Sequence, residues 1–299
     1  MRIVVTGADG FVGRHLCDHL RARGDEVAAY GGPTASEPTA KPIDIRREAD
    51  VSRMIADSQP EAVIHLAGWA SVGSSYSEPS ACFEVNALGT AYVLDAIRKR
   101  CPKARLLLVS SGEVYGELPG EARCSESDPL APKSPYGVSK LAAELVARQF
   151  FGSYATDVVI TRSFNHVGKG QGAGFVIPSL AQQIRELGEG KSVTTRLKVG
   201  NLDPVRDFTN VLDVVEAYRL LLDRGVSGEV YNVCSGHAQS IREVVEALVT
   251  AAGVHVELVV DPERVRATDI ARLVGDPRKI NALGWRAQRS PLHGILDPS

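Results

Sequence analysis

The chain lacks the cysteine spacing that disulfide frameworks and zinc sites require. Its 299 residues include five cysteines, an odd number without a C-x-x-C pair, so neither disulfides nor a metal centre is expected. No run of 18 apolar residues occurs, which argues against a membrane-spanning helix. The N-terminus also lacks the basic, apolar and cleavage regions of a signal peptide. We therefore expect a cytoplasmic protein with reduced thiols.

An excess of charge of either sign is also missing. Lys and Arg total 34, Asp and Glu total 36, and the formal net charge is -2. Neither nucleic acid nor an anionic membrane is therefore expected as the main partner. Any phosphate binding must come from a local arrangement of residues. The 44% hydrophobic and 23% charged residues are close to globular averages, which excludes a disordered or fibrous chain.

Short aliphatic and β-branched runs alternate with helical patterns along the first half of the chain. This order predicts a Rossmann-type, doubly wound α/β fold with a parallel sheet. Strands are predicted at residues 3–6, 27–30, 62–66, 106–110 and 158–161, with a loop over 31–42. Beyond Gly168 we predict helices at 175–189, 212–224 and 240–252 and short strands near 197–199, 229–233 and 255–260.

The change of pattern after residue 167 predicts two interleaved domains. The first covers residues 1–167 and is completed by about 205–235. A smaller α/β domain covers 168–204 and 236–299.

A glycine-rich turn follows the first predicted strand and precedes a helical pattern, with the spacing G-x-x-G-x-x-G over residues 7–13. Glycines allow a pyrophosphate to approach the N–H groups at the start of the helix. The order predicts a dinucleotide site, and a purely structural turn is the alternative. The predicted cofactor-binding residues here are Gly7, Gly10, Phe11, Val12, Gly13 and Arg14, together with Asp44, Ile45, Leu66, Ala67 and Gly68 from the following loops.

The end of the second strand bears on the choice of cofactor. It reads Ala29-Tyr30-Gly31-Gly32, without the Asp or Glu that binds a free ribose 2′-hydroxyl. NADP(H) is therefore favoured, with NAD(H) as the alternative. Arg14 is a candidate for contact with a 2′-phosphate, and an exposed surface arginine is an equally good interpretation.

A tyrosine and a lysine at Y-x-x-x-K spacing begin a strong helical pattern. Tyr136 and Lys140 share one helix face. A phenol, with a pKa near ~10, becomes a useful acid–base group when a nearby cation stabilises its phenolate. The strand ending in Ser110-Ser111 supplies hydroxyls for a substrate oxygen, and Glu113 is a second candidate acid or base. The alternatives are turn chemistry for the serines and a solvated loop charge for Glu113.

These motifs together resemble the extended short-chain dehydrogenase/reductase family of nucleotide-sugar enzymes. Besides the glycine turn and Y-x-x-x-K, the chain carries the family's H-L-A at 65–67 and N-x-x-G-T at 86–90. The resemblance implies that Ser111 is the catalytic hydroxyl, and that Tyr136 and Lys140 also contact the cofactor. It further implies a homodimer formed through helices beginning near Ala81 and Tyr136.

Within the family, the closest similarity is to the reductases that convert GDP-4-keto-6-deoxy-D-mannose to GDP-D-rhamnose. Segments 110–116, 163–171, 199–208 and 231–236 carry it. It implies NAD(P)H-dependent reduction of a 4-keto group, a GDP-linked sugar substrate, and binding of the substrate diphosphate by Arg206 and Arg266. The substrate-binding residues it implies are Ser111, Glu113, Asn165, Val176, Arg206, Arg266 and Asp269.

The alternatives are a GDP-mannose-type 4,6-dehydratase or a 4-epimerase. Glu113 stands where related dehydratases hold their C5 base, whereas Gly112 replaces the aspartic acid of dTDP-sugar dehydratases. The 232–236 element favours a reductase. A non-catalytic NADP-sensing protein is less consistent with the sequence, because the serine, tyrosine and lysine are all present.

Overall fold

The computed structural model describes residues 1–36, 38, 40–188, 195–264 and 270–296. Its strands are β1 (Arg2–Thr6), β2 (Glu26–Gly31), β3 (Lys41–Pro42), β4 (Ala62–His65), β5 (Arg105–Ser111), β6 (Val158–Ser163), β7 (Asn165–Val167), β8 (Arg196–Val199), β9 (Val205–Asn210), β10 (Val230–Val233), β11 (Ala238–Ser240), β12 (Glu257–Val260) and β13 (Arg272–Leu273). Its α-helices are α1 (Phe11–Ala22), α2 (Glu48–Ser58), α3 (Val72–Ser75), α4 (Pro79–Phe83), α5 (Gly89–Arg100), α6 (Pro135–Tyr154), α7 (Val176–Gly188), α8 (Val211–Arg224), α9 (Ile241–Ala252) and α10 (Arg278–Ala282).

Among these described residues, seven strands form one sheet in the order β10-β6-β5-β4-β1-β2-β3. All neighbouring pairs are parallel, so the predicted Rossmann-type fold is confirmed. The prediction of a continuous loop over 31–42 is wrong at its end, where Lys41 and Pro42 pair with Tyr30 and Gly31. Proline is tolerated there because β3 is an edge strand.

Helices cover both faces of the large sheet. Leu107 belongs to the core that includes residues of α1 and α8, whereas Leu106 and Leu108 belong to the core that includes residues of α2, α5 and α6. Alternate residues of β5 thus enter opposite cores, which explains its continuous run of apolar residues. The strand ends at Ser110 and Ser111, at the carboxyl edge of the sheet.

A smaller α/β region covers that edge. Strand β9 pairs with β7, β11 and β13, and β8 pairs with β12. Buried residues of α7 and α9 pack with these strands in a separate core. Within the segment 205–235, α8 and β10 join the large sheet and its helices, whereas β9 belongs to the smaller region.

The helix predicted to begin near Ala81 has an irregular centre. A π-helical turn, Glu84–Leu88, separates α4 from α5, and such turns frequently occur at functional sites. None of the helices in the described parts of the chain is long and apolar enough to cross a membrane.

Candidate active site

A cleft of about 1590 Å³ lies between the carboxyl edge of the large sheet and the smaller region. It extends past the switch point of the sheet, where β1 is flanked by β2 and β4, which is the usual ligand position in such folds. Most small-ligand pockets measure ~300–1,000 Å³. The cleft is therefore large enough for a dinucleotide together with a second ligand.

The glycine turn forms one wall of this cleft. Gly7 has φ +69°, and a Cβ there would lie 2.8 Å from the Ala67 nitrogen. A Cβ at Gly13 would lie 2.1 Å from the Gly7 oxygen, so only glycine permits this packing. Gly10 is the N-cap of α1 and no side chain caps the helix in the described structure. The turn fits a pyrophosphate, and its lining residues are Gly7, Gly10, Phe11, Val12 and Gly13.

The loops after the next strands continue this wall. The lining residues there are Asp44, Ile45, Leu66, Ala67 and Gly68. Hydrogen bonds from Arg46 lower the pKa of Asp44. The Thr6 hydroxyl accepts the Ala67 N–H at 3.1 Å and hydrogen-bonds His65 Nδ1 at 2.7 Å. Burial lowers the pKa of His65 to about 3, so this histidine is neutral and fixes the loop.

Arg14, unlike the other residues predicted from the glycine turn, is not among the described residues that line the cleft. Its guanidinium donates to the carbonyl oxygens of Asp9 and Gly170, at 2.5 and 3.1 Å. Its neighbour His15 hydrogen-bonds the Lys169 oxygen at 2.8 Å. These contacts join the start of α1 to the segment after β7.

Ser111, Glu113, Tyr136 and Lys140 all line one wall of the cleft. Ser111 ends β5, and its hydroxyl accepts the Glu113 N–H at 3.2 Å. Tyr136 and Lys140 lie in the first turns of α6, which begins after a serine N-cap with proline at its first position. A hydrogen bond joins Ser111 to the Tyr136 phenol. The predicted catalytic residues are thus brought together.

The expected lowering of the Tyr136 pKa by Lys140 is not found. Burial raises the pKa of Tyr136 to about 12, and the hydrogen bond from Ser111 only partly opposes this. The Lys140 ammonium lies 5.9 Å from the ring centroid and donates to the Val109 oxygen at 3.0 Å. Burial lowers the pKa of Lys140 to about 8. At neutral pH the phenol is protonated and the lysine is mostly charged.

Asn86 of the π turn is hydrogen-bonded to α6, the helix that carries Tyr136 and Lys140. Asn86 accepts the Trp69 N–H at 2.8 Å and donates to the Ser139 hydroxyl at 2.8 Å. Ser139 in turn donates to the Tyr136 carbonyl at 2.7 Å. Asn86 therefore connects α6 with the loop after β4. The N-x-x-G-T pattern indicates this asparagine, but not the irregular turn that orients it.

The smaller region supplies the other side of the cleft. Asn165 and Val176 line it with exposed side chains, and Arg206 lines it from β9 while only 8% exposed. Arg266 and Asp269 lie outside the described residues.

Arg264 also lines this side of the cleft, although its sequence context did not indicate it. Arg264 donates to the Ser179 hydroxyl at 3.2 Å. Gly200 permits its close approach, because a Cβ there would lie 2.5 Å from the Arg264 oxygen. No sequence pattern around Arg264 distinguishes it from a surface arginine.

The position between Ser111 and Glu113 offers little room for a side chain. A Cβ at Gly112 would lie 3.1 Å from two carbons of the Phe164 ring. Phe164 is itself only 3% exposed, in a core with Tyr115 and Cys234. An acidic side chain at residue 112 would require this packed ring to move.

Comparison with known proteins agrees with the geometry of the site. A family described as GDP-mannose 4,6 dehydratase matches residues 4–296. The chain belongs to this family of extended short-chain dehydrogenases/reductases. A GDP-6-deoxy-D-mannose reductase of Pseudomonas aeruginosa is 40% identical over 301 residues, which cover 99% of this chain and 96% of the relative. The resemblance drawn from the motifs is therefore confirmed.

Two solved structures show how closely the fold is shared. The structure of RMD from Pseudomonas aeruginosa, complexed with NADPH, matches with a TM-score of 0.87 and 34% identity, covering 99% of this chain and 97% of that one. A UDP-glucose 4-epimerase of Thermus thermophilus in complex with NAD matches with a TM-score of 0.88, 34% identity and the same coverage. The family thus includes proteins solved with either dinucleotide.

Proposed function

We propose that this protein reduces the 4-keto group of GDP-4-keto-6-deoxy-D-mannose to give GDP-D-rhamnose. The identity to a GDP-6-deoxy-D-mannose reductase over nearly the whole of both chains supports this assignment. The structural observation that carries it is Gly112, which leaves neither an acidic nor a hydroxyl side chain between Ser111 and Glu113 in the catalytic wall.

Elimination of water from a hexose needs an acid–base pair besides the tyrosine. Glu113 stands at the place of the base and lines the cleft. The place of the acid is Gly112, where the Phe164 ring would lie 3.1 Å from a Cβ. A 4,6-dehydratase is therefore not favoured. For reduction, Ser111 and Tyr136 are sufficient.

Bound NAD(P)H supplies the hydride that is delivered to C4 of the sugar. The Ser111 hydroxyl holds the ketone oxygen, and the Tyr136 phenol donates the proton to it. The raised pKa of Tyr136 keeps the phenol protonated before transfer. The Lys140 ammonium, 5.9 Å from the ring centroid, stabilises the phenolate that proton donation leaves.

Arginines of the smaller region bind the substrate diphosphate in this proposal. Arg206 and Arg264 both line the cleft, and the arginine fork matches two phosphate oxygens. Arg266, which lies outside the described residues, stays a predicted ligand of the diphosphate beside them. The cofactor-binding part is then 1–167 completed by α8 and β10 from the predicted segment 205–235, and the substrate-binding part is 168–204 with 236–299 together with β9. NADP(H) is favoured and NAD(H) is the alternative, in line with relatives that were solved with each.

The oligomeric state and location are further parts of the proposal. Leu88, Val138 and Leu145 are 43%, 41% and 59% exposed on the π turn and on α6, and this face supports a homodimer. A dimer measured by light scattering would become a monomer in Leu145→Glu. The cytoplasm is the proposed location, because all five cysteines lie in the described ranges and are free thiols.

Two incubations followed by product NMR test the reaction. GDP-4-keto-6-deoxy-D-mannose with NADPH is expected to give a GDP-6-deoxyhexose with a hydroxyl at C4 and one NADP⁺ per product. GDP-mannose without added reductant is expected to stay unchanged. Consumption of GDP-mannose would contradict the reductase assignment.

A further inference from the structure

An acidic side chain from the glycine turn reaches the end of β2. The Asp9 carboxylate accepts the Gly32 N–H with both oxygens, at 3.2 and 3.1 Å. Asp9, Gly31 and Gly32 all line the cleft. The sequence of β2 ends without an acid, yet the folded protein holds a carboxylate at that place.

The glycine at the end of β2 makes room for this carboxylate. A Cβ at Gly31 would lie 2.6 Å from Asp9 Cγ and 2.8 Å from its Oδ1. A larger residue at 31, including an Asp or Glu, would require Asp9 to move, and its Cβ would also lie 2.5 Å from Ala35 Cβ. The Asp9 carboxylate can therefore occupy this place because residue 31 is a glycine.

We propose that Asp9 determines how the enzyme discriminates between NADPH and NADH. The inference rests on the proposed function only in assuming that the cleft binds a nicotinamide dinucleotide. The end of β2 faces the adenosine ribose in this fold. There the Asp9 carboxylate accepts a hydrogen bond from a free 2′-hydroxyl and repels a 2′-phosphate.

The neighbouring cations are engaged with other groups. Arg14 donates to the carbonyl oxygens of Asp9 and Gly170, and Arg46 makes two hydrogen bonds of 2.9 Å with the Asp44 carboxylate. Asp44 and Arg46 both line the cleft as an ion pair, so their charges offset each other. The negative charge of Asp9 therefore weakens the binding of NADPH and reduces the difference in affinity between NADPH and NADH.

Removal of the Asp9 charge tests the proposal without any hydride transfer. Asp9→Asn keeps an oxygen to accept the Gly32 N–H, and Asp9→Ser is a second variant of smaller size. The matched control is Asp18→Asn, which removes a carboxylate that is 83% exposed on α1, the helix that follows the glycine turn. Calorimetry measures the dissociation constants of ADP-ribose and 2′-phospho-ADP-ribose for each protein.

We expect Asp9→Asn and Asp9→Ser to favour 2′-phospho-ADP-ribose over ADP-ribose by about tenfold more than the wild type does, or ~1.4 kcal/mol. The ratio of kcat/KM for NADPH to that for NADH should rise in parallel, and Asp18→Asn should leave both ratios unchanged. An unchanged ratio in both Asp9 variants would overturn the proposal while leaving the reductase assignment intact. If the wild type bound neither ADP-ribose nor 2′-phospho-ADP-ribose, this proposal and the reductase assignment would both be contradicted.

Discussion

The buried ion pair beneath the catalytic helix gives a sharp prediction about stability. Glu144 on α6 is 0% exposed and Arg162 on β6 is 1% exposed. Arg162 donates to both oxygens of Glu144, at 3.1 and 2.8 Å, and the Ser110 hydroxyl donates to Glu144 at 2.6 Å. Glu144 therefore joins α6, which carries Tyr136 and Lys140, to β6 through Arg162 and to β5 through Ser110.

Glu144→Gln keeps an acceptor for Ser110 but leaves the Arg162 charge buried without a counter-charge. Breaking such a pair costs ~3–5 kcal/mol in free energy of unfolding. With an unfolding entropy of ~2.1 cal/mol/K per residue, this corresponds to a fall in Tm of ~5–8 °C for a chain of this length. Scanning calorimetry and urea titration measure the two quantities.

The matched control is Glu257→Gln, because the Arg196–Glu257 pair is 67% and 63% exposed and such surface pairs contribute ~0–1 kcal/mol. The double variant Glu144→Gln with Arg162→Met removes both buried charges and should recover most of the loss. Glu144→Gln unfolding within 1 kcal/mol of the wild type would refute this reasoning.

Three further predictions concern the catalytic wall and the glycine turn. Tyr136→Phe should lower kcat by ~10²–10⁴ with an unchanged calorimetric Kd for NADPH; retained turnover would require another proton donor. Burial lowers the pKa of Lys140 to about 8, and the protonated lysine is the active form, so kcat/KM should fall as pH rises through 8. An equally steep fall of kcat/KM above pH 8 in Lys140→Met would assign this pH dependence to another group. Gly13→Ala, whose Cβ would lie 2.1 Å from the Gly7 oxygen, should abolish NADPH binding. Gly172→Ala, where no described atom lies within 4 Å, should not, and equal calorimetric affinities would contradict the packing argument.

The sequence predicts most accurately those elements whose residue pattern lies within the element or next to it. The parallel sheet and the juxtaposition of Ser111 with Tyr136 follow from strand-end and helix-start signals that lie within a few residues of each motif. The strand prediction at 106–110 is one residue short at each end of β5.

What the sequence did not reveal depends on contacts between distant residues. Asp9 reaches the end of β2, 22 residues later along the chain at Gly31, because of the turn geometry and not because of any spacing. The raised pKa of Tyr136 follows from burial in the folded cleft, which a Y-x-x-x-K pattern does not encode. Arg264 enters the cleft through its packing on Gly200, 64 residues away.

The destination of the hydride tests the central claim most directly. A single turnover with NADPH that carries deuterium at both positions of nicotinamide C4, and with GDP-4-keto-6-deoxy-D-mannose as substrate, can be followed by product NMR. Ketone reduction places the deuterium on C4 of the 6-deoxyhexose. Deuterium on C6, or a product without label, would contradict the account.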